Sequence, residues 1–145
     1  ILKALLTRTA HLQCLSASSP FWAGADTGYA DNRAMMFQQL PHAGLPETLS
    51  TWSDFEDCAR DLIDAGEIRE VNELRWDVRP APAFGTVEVR ACDASSNLAE
   101  IGAVAALVHC LVEEASRLLD AGRGLRSLPY WLLAANKWRS ARYGL

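Results

Sequence analysis

The chain has 145 residues, half of them apolar, with a formal charge of -4 and a pI near 5.3. That is enough chain to close one core, and it is too acidic for a surface that grips phosphate backbones, so nucleic acid is excluded as a partner class. No apolar run is long or pure enough to span a bilayer, and Cys14, Cys58, Cys92 and Cys110 form neither a CxxC pair nor a dense disulfide framework, which predicts buried thiols in a reducing cytoplasm.

Leu2, Leu5, Leu6, Leu12 and Leu15 recur at helical spacing and predict an amphipathic helix over 1–16. Residues 16–28 break every period. Ser18-Ser19-Pro20 imposes extended backbone before the proline, and Gly24 and Gly28 bracket Ala25-Asp26-Thr27, as in a shaped loop. The short apolar stretch 34–38 reads as a strand, against the poor strand signal of Met35-Met36. After a proline and glycine loop at 41–46, Ser53-Asp54-Phe55-Glu56 has the form of a capping box that opens a helix over 51–65, ended by Gly66. Residues 76–80 and 86–91 read as neighbouring antiparallel strands, connected through Pro80, Pro82 and Gly85. Leu98, Ile101, Val104, Val108, Leu111, Ala115 and Leu119 then follow the helical period and predict a long core helix. A last helix, capped by Ser127 with Pro129 in its first turn, runs to about residue 142. The pattern is α+β: several packing helices and a small antiparallel sheet that must be covered by further chain or by another copy, as in a homo-oligomer. The start at Ile1 inside a helix and the abrupt stop at Leu145 predict a fragment whose absent N-terminal portion holds half of any active site.

The chemistry concentrates on one strand. In Thr86-Val87-Glu88-Val89-Arg90 the side chains alternate, so Thr86, Glu88 and Arg90 share a face while Val87 and Val89 turn to the helices. Asp77, Arg79 and Asp93 lie nearby in sequence and extend that charged face. A carboxylate suits Mg²⁺, and arginine's planar fork suits carboxylates and phosphates; the chain uses twelve arginines and only Lys3 and Lys137. A solvated face with a cross-strand salt bridge is the alternative reading of the same residues.

Ser18-Ser19-Pro20-Phe21-Trp22, Asp26-Thr27-Gly28-Tyr29, Asn32-Arg33, Gly44-Leu45-Pro46, Trp76-Asp77-Val78-Arg79-Pro80, Gly85-Thr86-Val87-Glu88-Val89-Arg90, Cys92-Asp93 and Arg142-Tyr143-Gly144 occur in an order and spacing that resembles the carboxylate–amine ligases similar to glutamate–cysteine ligase. The likeness spans nearly the whole chain and matches the C-terminal portion of longer proteins. It implies a glutamine-synthetase-like fold, an antiparallel sheet curved around Mg²⁺ and ATP, and amide formation between a glutamate-like carboxylate and an amine such as cysteine through an acyl phosphate. By the same resemblance Glu88 is a metal ligand, Arg90 faces substrate and phosphate, Arg79 is a further catalytic arginine, and Arg33 with Tyr29 binds substrate. Family members often carry a hydroxyl residue beside the arginine where this chain has Asn32-Arg33-Ala34. The remaining metal carboxylates and nucleotide contacts would come from the missing N-terminal portion, without which the fragment is expected to be inactive.

His11, His42 and His109 are not spaced as a metal set, and His109 reads as a core histidine. Ser18 and Ser19 lack a nucleophile elbow and fit loop capping. The five tryptophans read as core residues, and Lys137, Arg139 and Arg142 as a solvated basic helix end. The competing function is a noncatalytic helical binding domain, which expects Arg33, Arg79 and Arg90 to lie far apart.

Overall fold

The computed structural model describes residues 1–46 and 49–145. The first predicted helix is present in two pieces, α1 (Leu2–Leu6) and α2 (Thr9–Ser16). Thr7 Oγ1 donates to the Ala4 carbonyl at 2.7 Å and Thr9 Oγ1 to that of Leu6 at 2.8 Å, so two hydroxyls compete with the helical ladder where it breaks. The loop that follows is a hairpin, β1 (Phe21–Trp22) with β2 (Ala25–Asp26). Its two turn residues, Ala23 and Gly24, both have positive φ, as a primed two-residue turn requires.

Residues 34–38 are not a strand. They lie in or just beyond α3 (Asn32–Phe37), whose start is fixed by the buried Asp31: its carboxylate accepts the Ala34 N–H at 2.9 Å and the Gln13 amide at 3.0 Å. An aspartate at the cap outweighs a weak strand pattern, since methionine favours helix. Next comes β3 (Ala43–Gly44), then α4 (Trp52–Asp64), whose capping box is formed by Thr51 and Asp54, two residues ahead of the expected Ser53 and Glu56. Thr51 Oγ1 accepts the Asp54 N–H at 3.1 Å and Asp54 accepts the Thr51 N–H at 2.9 Å, leaving Ser53 inside the first turn. Gly66 follows the helix at φ 74°, as expected of its terminator.

β4 (Arg75–Trp76) pairs parallel with β3, and β5 (Val78–Ala81) pairs antiparallel with β6 (Thr86–Val89), so the predicted strand 76–80 is shared between two small sheets that meet at Asp77. A short 3₁₀ turn, Pro82–Phe84, and Gly85 at φ 63° join β5 to β6. The chain ends in α5 (Leu98–Asp120) and α6 (Tyr130–Tyr143); Pro129, not Ser127, stands at the N-cap of α6. The architecture is thus α+β with two-stranded sheets.

Among the described residues two apolar clusters stand where a single core was expected. Phe55, Ile68, Leu74 and Trp76 pack beneath α4, while Leu5, Leu6 and Val78 meet Val89, Leu111, Val112 and Leu133 where α1, β5, α5 and α6 converge. Val89 therefore packs on helices as predicted, whereas Val87 is 37% exposed. α5 has its predicted length, yet Ala115 is its buried residue while Leu98, Ile101 and Leu119 are exposed. His109 is likewise exposed, as are Trp22, Trp52, Trp131 and Trp138, and only Trp76 among the tryptophans is buried. Cys110 is exposed and the other three cysteines half-buried, not the buried thiols expected. Periodicity tells which side of a helix is apolar, but not whether anything covers it. No helix of the described residues is long and apolar enough to cross a membrane.

Candidate active site

β5 and β6 bring the predicted charged residues together by register. Arg79 lies directly opposite Glu88 across the ladder. Arg79 Nε and Nη2 both approach Glu88 Oε2 at 2.8 Å, and Arg90 Nη1 donates to Oε1 at 2.7 Å, so each carboxylate oxygen is held by a guanidinium. Burial by itself would push the Glu88 carboxyl up; hydrogen bonds and charge from Arg79 and Arg90 outweigh it and hold the carboxyl below the usual glutamate range. Arg79 also donates through Nη1 to the carbonyls of Asn72 and of Leu74, the latter at 2.7 Å. Its guanidinium is thereby committed within the chain. Arg90 is not: its Nε is buried and makes no hydrogen bond.

The third arginine arrives from α3. Arg33 stands over the Phe37 ring with its guanidinium carbon 5.3 Å from the centroid, and Arg90 approaches the same ring at 6.0 Å. Cation–π attraction to one face-rich aromatic thus holds two like charges in one neighbourhood without neutralising either. Arg79 and Arg90 share Glu88, and Arg90 and Arg33 share Phe37, so the three guanidinium groups are linked in one chain of contacts through a carboxylate and an aromatic ring. They are not dispersed, as the binding-domain alternative expects. Glu88 and Arg79 also line a cleft of about 550 Å³ whose other walls include Val71, Pro80, Phe84 and Val87, within the range of small-molecule pockets.

Tyr29 is placed differently. Its ring carries the Arg142 guanidinium at 5.3 Å, and Arg142 lies equally close, 5.5 Å, to Tyr143. Gly28 permits this approach: it has φ +72°, and a Cβ there would stand 2.9 Å from Arg142 Nη1. Asp93, expected on the charged face, instead pins the preceding loop by accepting the Ser18 N–H at 3.0 Å, with its own N–H given to Ser16 Oγ at 3.0 Å. Beside it, burial pushes the Cys92 thiol up, against the Ser16 hydroxyl and the Arg33 charge, which disfavours the thiolate a nucleophile needs.

Asp77 also leaves the predicted face. Its carboxylate accepts Lys137 Nζ at 2.6 Å in an ion pair whose side chains are each 7% exposed. Lys137 is therefore interior and not part of a solvated helix end. Sequence pattern alone does not single out Phe37 or this pair, whereas Asp31 immediately before Asn32-Arg33 is a capping signal for α3.

Residues 1–145 match the family described as Glutamate-cysteine ligase family 2 (GCS2). The chain belongs to that family. It is 58% identical over its whole length to a protein of Mycobacterium ulcerans (strain Agy99) that bears the provisional name glutamate–cysteine ligase 2, and covers 37% of it. It is 55% identical to proteins given the same provisional name in Leifsonia xyli subsp. xyli (strain CTCB07) and Mycobacterium tuberculosis (strain ATCC 25177 / H37Ra), covering 38% and 39% of them. The chain thus spans less than two fifths of these members of the glutamate–cysteine ligase family 2.

For a family of ligases, the metal question has a local answer. No group of three or more His, Cys, Asp or Glu side chains is arranged to hold a metal among the described residues. What the chain offers is the single carboxylate of Glu88, half-exposed at a cleft. That fits Mg²⁺, which keeps waters and phosphate ligands and is commonly held by one or two carboxylates, better than a metal that needs an all-protein cage.

Proposed function

We propose that the full-length protein is an ATP-dependent carboxylate–amine ligase of glutamine-synthetase-like fold. It joins a glutamate-like carboxylate to an amine such as cysteine. The carboxylate oxygen takes the terminal phosphoryl group of ATP with loss of ADP, and the amine nitrogen then displaces phosphate from the acyl carbon.

The observation that carries the reading is the contact chain Arg79–Glu88–Arg90–Phe37–Arg33, with Arg90 Nε buried and unpaired. Two guanidinium groups against the one carboxylate of Glu88 leave an excess that a bound anion would compensate, and a buried donor without a partner is costly unless an acceptor is supplied. Arg90 is the group proposed to face substrate and phosphate, because its side chain remains 27% exposed beside Glu88. Arg33 would grip the substrate carboxylate, held at its station by Phe37. Arg79 would serve the reaction from beneath, its donors fixing Glu88 on the strand. Tyr29 would contribute to the substrate loop through the stack it makes with Arg142. Mg²⁺, bound by Glu88 together with nucleotide phosphates and residues beyond this chain, would neutralise phosphate charge. For Glu88 to reach it, at least one of the two arginine contacts must loosen when the nucleotide binds.

The test is ADP release by the full-length protein with Mg²⁺, ATP, glutamate and cysteine, extended to a panel of other amino acids and amines. Glu88→Gln keeps the side-chain volume and removes the charge; it is expected to cut the turnover by about a hundredfold or more, the scale on which such electrostatic groups act. Undiminished ADP release by this variant would remove Glu88 from the site.

A further inference from the structure

Asp77 occupies a joint in the fold. Its backbone N–H donates to the Gly44 carbonyl at 2.6 Å, on the side of the β3–β4 sheet, and its carbonyl accepts the Arg90 N–H at 2.7 Å, extending the β5–β6 ladder by one residue. Its side chain is the partner of Lys137 on α6. Gly44 has φ +94°, and a Cβ there would lie 3.3 Å from Lys137 Nζ, so the backbone at the end of β3 closes directly over the ammonium. One residue therefore ties two sheets and a helix, and the bond it makes at the end of β6 is the one that places Arg90.

We propose that Asp77 and Lys137 are positioning residues for the reaction, setting the backbone station of Arg90 and, two residues along β5, of Arg79. The inference rests on the ligase reading. A buried ion pair is a poor device for stability alone, because well-packed apolar residues of similar volume hold an interior at least as well. What an ion pair adds is a fixed geometry: the ammonium, trapped between the Gly44 backbone and the carboxylate, admits one position of the Asp77 main chain. A methionine or leucine in the same space would permit several. Arg90 needs that precision, since a guanidinium displaced by about an ångström loses alignment with the reacting group.

The decisive experiment is the double variant Asp77→Leu with Lys137→Met in the full-length protein, assayed for ADP release from Mg²⁺-ATP, glutamate and cysteine beside wild type and Glu88→Gln, with unfolding midpoints measured for all. Expected is a folded protein, melting within a few degrees of wild type, whose kcat is at least tenfold lower while KM for ATP changes less than threefold. A double variant equally stable and fully active overturns the inference, for the pair would then be packing only. Should the double variant fail to fold, Asp77→Asn, assayed below its own midpoint, decides in the same way: a tenfold fall in kcat supports positioning and wild-type kcat rejects it. Glu88→Gln separates the two levels. If Glu88→Gln is inactive while the pair variants are not, this inference alone fails; if Glu88→Gln is as active as wild type, or no tested substrate releases ADP from the wild-type protein, the ligase reading fails and this inference goes with it.

Discussion

Glu88 and Arg90 pair at 2.7 Å. Arg33 meets Arg90 over the ring of Phe37, which α3 presents once Asp31 has set the helix start. Its function is testable by kinetics. Arg33→Ala in the full-length protein is expected to raise KM for the carboxylate substrate by about tenfold to a hundredfold, the cost of one charge-assisted contact, with a smaller change in kcat. Arg33→Lys should recover only part, as a point charge does not reproduce the planar fork. Gly28 carries a different prediction. Alanine there must adopt a left-handed conformation and push Arg142 Nη1 aside, so Gly28→Ala is expected to cost about 1–2 kcal/mol in denaturant unfolding. Removing the guanidinium as well, in Gly28→Ala with Arg142→Ala, should leave the backbone strain and abolish the steric share.

The hairpin of β5 and β6 was legible as two antiparallel neighbours, and its register turns a predicted patch of charge into a defined Arg–Glu–Arg set. That set has a pH signature whose sign is fixed by the lowered carboxyl of Glu88. A carboxyl held below its unfolded value contributes stability that is fully present above the unfolded pKa of about 4.3, and that contribution disappears as pH falls through the folded value. Acid titration of unfolding midpoints should therefore show wild type losing stability more steeply than Glu88→Gln below about pH 4.3, with the two curves parallel above it. Equal slopes would mean that the ion pairs contribute nothing to folding. Elsewhere the elements diverged from their patterns for local reasons. Thr7 and Thr9 divide one expected helix into α1 and α2 through their hydroxyls, and Thr51 wins the capping box from Ser53 because the Asp54 carboxylate reaches back to the Thr51 N–H. In each case side chains of ordinary propensity set the boundary by a pair of hydrogen bonds.

Taken together, the described chain exposes 8984 Å², against about 7,300 Å² expected for a folded monomer of 15.9 kDa. The excess is apolar in part: Leu98, Ile101 and Leu119 along α5, Trp131 and Trp138 on α6, and Phe21 and Trp22 on the β1–β2 hairpin. Curated relatives more than twice as long are consistent with a chain whose apolar faces are made to be covered. Produced alone, residues 1–145 are expected to bind a hydrophobic dye and to associate as concentration rises, observable by dye fluorescence and light scattering; a dye-silent, monodisperse 145-residue protein would mean these faces need no cover. The same exposure explains why the long periodic helix reaches a core only through Leu111, Val112 and Ala115 and leaves Leu98, Ile101 and Leu119 uncovered. Helical spacing, strand alternation, proline and glycine punctuation are short-range constraints, written into neighbouring residues by sterics and hydrogen bonding, and they carried the element types of α4, α5, α6 and the β5–β6 pair. The partner of each buried charge was another matter. Asp77 with Lys137 and Arg33 with Phe37 and Arg90 are meetings of distant segments, set by how helices and sheets stack once their apolar faces are satisfied, and no local pattern encodes where such stacking ends.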